Sequence, residues 1–469
     1  MAQGGERSNA CAPANNGGIM IGIGLDITRA GQTVSFSPEN LRVGTRVVQD
    51  FTVRPNRLFS DTAGTTLIAG PGAEVAAMRD SRGVLVATQA TAAARPKYAV
   101  QPAVGVRNRL PNNRGDGAVV GVLGSGGALP GGMGVTGIAA GSIEVLSLAA
   151  KNGRPNTKVR ISGTPTNNVN IIFTGSQVIP AVAGQVWTSS VWAQMTAGSV
   201  ANLNPITLNT TTHAANGDFI SSFANNFIGT IGDDVRRVVS STLVGATIAF
   251  VRSQVQLAWT SGAVDITLDI SAPQLEQAGA ATDVQIVGAN GFDVSEAGVR
   301  PVHRLQYDGM DDFMDLATAW TSGAAYTLAA AHNLHDSDTF NGTAGTIFGN
   351  TTLTSGRLFR GNRARMNIET DASNRISAET AVVAGRVVDL VRMISGGEAF
   401  YRNGVLSTVF PTSDGYPEPV FNTLGRLGTG YAVGSFFGGV MVSDGDTPLT
   451  EAERLMTERY LAYSGGITL

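Results

Sequence analysis

The chain has 469 residues, of which 43% are apolar and 15% charged, with 59 glycines, one cysteine and a formal net charge of −3. That length argues for two or three domains rather than one core. The weak charge excludes a broad electrostatic attraction to nucleic acid or to an anionic membrane. The single cysteine, Cys11, excludes an internal disulfide and a cysteine-built zinc cage.

Apolar runs recur along the whole chain, separated by stretches rich in Gly, Thr, Ser, Asn and Ala. This pattern predicts an all-β protein with many turns and argues against disorder. Met1–Asn9 is polar and lacks the apolar core of a secretory signal, and no run approaches the length of a membrane span. The expectation is synthesis in a bacterial cytoplasm, with no membrane insertion. The basic residues are nearly all arginine; lysine stands at Lys97, Lys151 and Lys158.

Residues 1–50 read as a separate arm. Ile19, Ile21, Ile23, Leu25 and Ile27 alternate with small or polar residues, the period of a strand. No helix pattern follows Gly22-Ile23-Gly24, so a nucleotide loop is not supported. Next come Leu58–Thr66, then Val75, Met78, Asp80 and Gly83, then Ala87-Thr88-Gln89 and Arg95-Pro96-Lys97-Tyr98.

The following stretch has its own strand signals. Val169–Thr174 is a short apolar run, and Gln185–Met195 carries Trp187 and Trp192 in a strand-like context. Val255, Leu257 and Trp259 alternate with polar or small residues. So do Val264, Ile266, Leu268 and Ile270, which predicts half-buried strands. No internal repeat and no heptad run is present.

Leu305–Met314 contains the densest acidic cluster, Asp308, Asp311 and Asp312, with Asp315 just beyond. Clustered carboxylates suit Ca²⁺, but a turn at Asp308-Gly309 that leaves Leu305, Tyr307 and Phe313 in the core explains the same residues. His332 and His335 would share a face only on a helix, and Tyr326–Ala331 reads as a strand followed by a polar loop. Tyr401-Arg402-Asn403-Gly404-Val405 reads as a hairpin, since Asn-Gly suits a type I′ turn. Thr450 and Glu453 form a capping box, and Ala452, Leu455, Met456 and Tyr460 follow at helical spacing before Gly465-Gly466.

The order of these pieces resembles the concanavalin A-like (LamG-type) lectin sandwiches of phage tail, spike and fibre proteins. The carrying residues are Leu58–Thr66, Ala87–Tyr98 and Leu305–Met314. Near the end they are Tyr401–Val405, Leu424–Gly428, Phe437–Val440 and the helix motif Leu449–Ala462. Met78 stands where that family usually places an aromatic residue, which weakens an aromatic sugar platform there. The family's pieces are split, because Tyr98 and Leu305 enclose a stretch of domain size. The edges of that stretch, Val106-Arg107-Asn108 and Pro273-Gln274-Leu275-Glu276, resemble carbohydrate-binding-module-like jelly rolls of phage adhesins, with Arg109 interrupting the usual opening motif.

The resemblance implies two β-sandwich (jelly-roll) domains, one inserted in the other, plus an N-terminal arm and one short C-terminal helix. The expected divisions are 1–50 (particle-attachment arm), 51–102 and 301–469 (the two parts of the lectin-like domain) and 103–300 (the inserted sandwich). It implies a virion adhesin in a tail, baseplate or head spike or fibre. Such a protein would bind host surface polysaccharide without catalysis, contact other virion proteins through the arm and form a homo-oligomer. A glycan depolymerase and a purely structural decoration protein are the alternatives. No cofactor is expected, and no nucleophile elbow, P-loop or zinc-protease motif is present. Trp187, Trp192, Trp259 and Trp320 are the candidate sugar platforms, against the alternative that they fill sandwich cores.

Overall fold

The computed structural model describes residues 36–175, 179–226, 236–322, 325–334, 345–351, 357–361, 366–370, 373–376, 385–395, 397–411, 419–445 and 448–469. The strand expected at Ile19–Ile27, Cys11 and His335 lie outside the described residues. The fold is all-β, with antiparallel sheets packed face to face and one α-helix among the described residues.

In the first sandwich, one sheet runs in the order Val405–Pro411, Gly397–Arg402, Val387–Ile394, Ala325–Leu334, Val433–Gly445, Pro301–Asp308, Lys97–Pro102. Val47–Asp50 joins it beside Val433–Gly445, with Val47 opposite Ser443 and Asp50 opposite Val440. Residues before 51, read from sequence as arm, therefore contribute a strand, and Leu41 and Val48 are buried with the helix side of this sheet. The facing sheet contains Leu58–Phe59, Ala77–Arg79, Leu85–Thr88, Met314–Thr321, Val420–Leu424 and Thr346–Gly349, and it continues through Ser373–Ile376.

Within Val433–Gly445 the stretch Phe436–Val442 is apolar apart from its two glycines, because both of its faces are covered. Phe436 and Met441 point into the core between the sheets. Phe437, Val440 and Val442 point the other way, toward the helix Glu451–Gly465. Aromatic rings build the inter-sheet core: Phe348 lies 5.4 Å from Phe51 and 6.3 Å from Phe359, centroid to centroid. Met78 is fully buried there, so its position belongs to the core. Gly349 is required by close approach, since a Cβ there would sit 1.9 Å from the Arg426 carbonyl oxygen.

The capping box forms as its spacing predicts: Glu453 N donates to Thr450 Oγ1 (3.3 Å), and Thr450 N donates to Glu453 Oε2 (2.7 Å). The helix's buried face differs from the apolar reading. Ala452 is exposed, while Arg454 and Glu458 are buried beside Met456 and Leu461. These two charges are neighbours one turn apart and pair with each other, and the Arg454 guanidinium lies 4.0 Å from the Tyr401 ring centre. Pairing lets polar residues occupy a face that periodicity assigns to apolar ones.

The second sandwich is built from residues between 121 and 276. One sheet contains Leu203–His213, Phe250–Trp259 and Val169–Ile172; the other contains Val186–Ser199, Val264–Glu276 and Asn156–Gly163. Val264, Ile266, Leu268 and Ile270 are buried as their alternation predicts. Asp269, on the opposite face, is buried too, because Lys151 Nζ (2.5 Å) and Asn156 Nδ2 (3.1 Å) donate to its carboxylate.

The chain leaves the first sandwich along Lys97–Pro102 and re-enters along Pro301–Asp308, and these two strands are direct antiparallel neighbours with Pro102 opposite Pro301. Between the sandwiches, Asn108 clasps the two ends of the intervening stretch. Its Oδ1 accepts from Leu275 N (3.1 Å) and Leu110 N (3.1 Å), and its Nδ2 donates to the Pro273 carbonyl (3.3 Å). The Arg107-Asn108 and Pro273–Glu276 segments, which look alike only as edge motifs in sequence, are one hydrogen-bonded unit.

Candidate functional site

Where the linking segments cross the edge of the first sandwich, they leave an open cleft of about 720 Å³, within the range of small-molecule sites. Arg109 enters it from the segment just past Pro102, Arg304 from the strand Pro301–Asp308 and Arg386 from the residue before Val387–Ile394. Gln101, Asn333, Asn403, Ser435 and Thr468 add amide and hydroxyl groups. A second pocket, of about 530 Å³, shares Val106, Arg109 and Gly291 with the first, so the depression continues along the linkers. No acidic side chain lines the larger cleft among the described residues.

The local fold fixes these arginines by different means. Arg386 Nη1 donates to the Gly465 carbonyl (2.7 Å) and Nη2 to the Ala103 carbonyl (2.6 Å). It thereby binds the C-terminal end of the closing helix, where the dipole favours a cation. Gly466 makes this possible: it caps the helix at φ +61°, and a Cβ there would lie 2.7 Å from Arg386 Nη1 and 2.8 Å from the Ala103 oxygen. Arg304 Nη1 donates to Ser435 Oγ (2.5 Å) and to Gln306 Oε1. Its Nε is buried without a hydrogen-bond partner. Burial, then the Arg386 charge, pushes the Arg304 guanidinium down to about 10, which still leaves it cationic at neutral pH. Burial and the nearby Arg300 also lower Arg386. Arg109 is exposed.

Beside Arg304, His303 is pushed down to about 4 by burial, Arg54 and Arg300. It is neutral at pH 7, and the Tyr98 hydroxyl lies 2.8 Å from its Nδ1. Burial raises Tyr98 to about 12. This pair fastens the two neighbouring strands behind the cleft.

The four tryptophans do not converge. Trp187 and Trp320 are each 2% exposed and lie in different cores. Trp187 Nε1 donates to Gln185 Oε1 (3.0 Å), and Trp320 stacks on Phe421 at 5.6 Å. Neither offers a ring face to a ligand, which corrects the platform expected of them: the apolar side of each strand faces the opposing sheet. Trp192 is half-buried, with the Arg154 guanidinium 3.8 Å from its ring centre. Trp259 is half-buried against the second core, and its Nε1 donates to the Gly262 carbonyl (2.9 Å).

The carboxylates of Asp308, Asp311 and Asp312 lie within 4.8 Å of one another. They sit in the turn after Pro301–Asp308. Asp308 Oδ1 accepts from Met310 N (2.8 Å), and Asp312 Oδ2 accepts from Asp308 N (3.0 Å). Burial and the Asp308 charge raise Asp312 to about 7. One turn offering three carboxylates, two already accepting backbone amides, falls short of the roughly six to eight oxygens that Ca²⁺ takes. His332 is buried in the strand Ala325–Leu334, with its Nε2 3.1 Å from Asp389 Oδ2, inside a structural ion-pair network.

Sequence reasoning did not single out Arg304 or Arg386, and it met Arg109 only as an interruption of a motif. The usable signal was the near-total preference for arginine, which carries no position.

No family model matches the chain, and no curated protein does. Among solved structures it is similar to a truncated AlyQ with CBM32 and alginate lyase domains, at 8% identity and a TM-score of 0.21, covering 61% of this chain and 90% of that one. It is similar to the tripod (BppUct-A-L) from the baseplate of bacteriophage Tuc2009, at 12% identity and a TM-score of 0.23, covering 58% and 82%. A third is Trypanosoma rangeli sialidase in complex with sialic acid, at 11% identity and a TM-score of 0.22, covering 70% and 72%. At these scores the likenesses carry no argument about function. Among the described residues, no helix is long and apolar enough to cross a membrane.

Proposed function

We propose that this chain is a structural adhesin of a tailed phage or a phage-like particle. It is a tail, baseplate or head spike or fibre subunit that binds host cell-surface polysaccharide without cleaving it. The observation that carries the binding half of this reading is the cleft beside the first sandwich. It is open and sugar-sized, and guanidinium, amide and hydroxyl groups line it. These groups match the donors and acceptors of a glycan. The particle half rests on the sequence resemblance to phage lectin sandwiches, from Leu58–Tyr98 to Leu449–Ala462.

Glycoside hydrolysis commonly needs two carboxyl groups facing one bond. Release of oligosaccharides therefore separates cleavage from binding. Weak single sites gain avidity when copies repeat on a particle, so a homo-oligomer fits this role. The N-terminal arm, residues 1–50, would contact other virion proteins.

The test is a glycan array carrying the polysaccharides of the host's own surface, read together with oligosaccharide release from the same polymers. Binding without release is expected. Release would make the protein a depolymerase, and silence on every host glycan would leave a decoration protein with no receptor.

A further inference from the structure

The cleft gathers positive charge that the protein does not neutralise. Arg304 donates only to neutral groups, Gln306 Oε1 and Ser435 Oγ, and its Nε has no partner. Arg386 donates to two backbone carbonyls. Arg109 is exposed and makes no side-chain hydrogen bond or ion pair with the described residues. Elsewhere many arginines face carboxylates, as Arg402 does Asp389 and Arg107 does Glu296, and others, such as Arg79 and Arg95, donate to carbonyls; the cleft differs in gathering three guanidinium groups around one cavity that no acidic side chain lines among the described residues. The three guanidinium groups line one cavity, and two of them are close enough that the Arg386 charge adds to burial in lowering Arg304. An anion seated among them would offset that like charge and take planar, two-pronged hydrogen bonds from them. Arg386 has a structural task at the helix end, but nothing in the fold requires a cation at Arg109.

Resting on the polysaccharide reading above, we propose that the cleft binds an acidic sugar unit. Its carboxylate sits among Arg109, Arg304 and Arg386, and its hydroxyls face Gln101, Asn333 and Thr468. The ligand class is thus a uronate-type acidic polysaccharide rather than a neutral one.

The full chain is tested against polygalacturonate and neutral dextran by titration calorimetry in moderate salt. It is also tested against sodium glucuronate and glucose by thermal shift. Polygalacturonate is expected to bind and dextran not to. Arg109→Gln and Arg304→Gln are each expected to weaken binding about tenfold or more, with Arg109→Lys, which keeps the charge but not the planar fork, falling between Arg109→Gln and the unaltered protein. Glucuronate, not glucose, is expected to raise the melting temperature, and Arg304→Gln to abolish that rise. Arg109→Gln keeps the test valid if Arg304→Gln fails to fold, because Arg109 supports no other group. Dextran bound as well as polygalacturonate, or arginine variants that bind unchanged, would overturn the acidic-sugar inference while leaving polysaccharide binding intact. A glucuronate shift lost in Arg304→Gln without binding to any polymer would support the anion cleft and count against the polysaccharide reading. The absence of both polymer binding and a glucuronate shift would overturn the proposal.

Discussion

Asp389 is a sensitive position in the first sandwich, and its removal is predicted to cost about 3–5 kcal/mol. The carboxylate is fully buried, and two buried partners share it. Arg402 grips it with both prongs, Nε to Oδ1 at 2.7 Å and Nη2 to Oδ2 at 2.8 Å. His332 Nε2 lies 3.1 Å from Oδ2, while Leu334 N donates to His332 Nδ1 at 3.3 Å, which sets the tautomer with the proton on Nε2. Asp389→Ala would take the two-pronged carboxylate away from the buried Arg402 guanidinium and the hydrogen-bond partner away from His332 Nε2, which is where the cost arises. Asp389→Leu with Arg402→Met removes both charges and should recover most of the loss. Because burial, which would raise the Asp389 pKa, is outweighed by Arg402 and His332, the carboxyl sits below its usual range. Its contribution is present above the unfolded-state value and is lost as pH falls through the lower folded one. Native-state hydrogen exchange of the amides in Ala325–Leu334 and Val387–Ile394 gives the local free energy directly, without assuming two-state unfolding of a multidomain chain. A single variant costing under about 1 kcal/mol, or a double variant as damaged as the single, would refute the argument.

Asp312 behaves oppositely: with a folded pKa near 7 against 3.8, its contribution is full below the unfolded value and lost as pH rises through neutrality. Asp312→Asn should flatten the fall in melting temperature between pH 5 and 8, and an unchanged slope would show that another group is responsible. Gly466→Ala adds a Cβ in the left-handed region against Arg386 and Ala103, so it should cost roughly 1–2 kcal/mol and also weaken ligand binding in the cleft; intact binding would separate the helix cap from the site. Thr450→Ala should destabilise the closing helix by about 0.5–2 kcal/mol. Glu453 holds Arg46 as well as the cap, so Glu453→Ala should cost more, as thermal denaturation would report. Replacing residues 104–299 by a short Gly-rich turn should leave a cooperatively folding first sandwich, since Pro102 and Pro301 are already paired across adjacent strands. A molten product by near-ultraviolet circular dichroism would show that the sandwiches need each other.

Local chemistry was legible wherever it is settled within a few residues. The Thr450–Glu453 box forms as its spacing requires. Asn403 and Gly404 take φ +49° and +81° at the hairpin, as an Asn-Gly turn demands. Val264–Ile270 alternates inward as its period predicts. Burial of polar residues was not legible, because Asp269, Arg454 and Glu458 go inside only where a distant or helical partner meets them. Nor was the fate of the tryptophans: period two says that Trp187 and Trp320 share a face with apolar neighbours, not that the face meets another sheet.

By itself, then, the sequence determined the strand periods, the turns, the helix caps and the edge motifs, all set by backbone geometry and neighbouring side chains. Only the tertiary structure decided the cleft. Arg109, Arg304 and Arg386 lie on segments far apart in the chain, and they share one cavity because Lys97–Pro102 pairs with Pro301–Asp308 and because the Gly466 cap brings the helix end to Arg386. Long-range strand pairing places charges together that no local pattern relates.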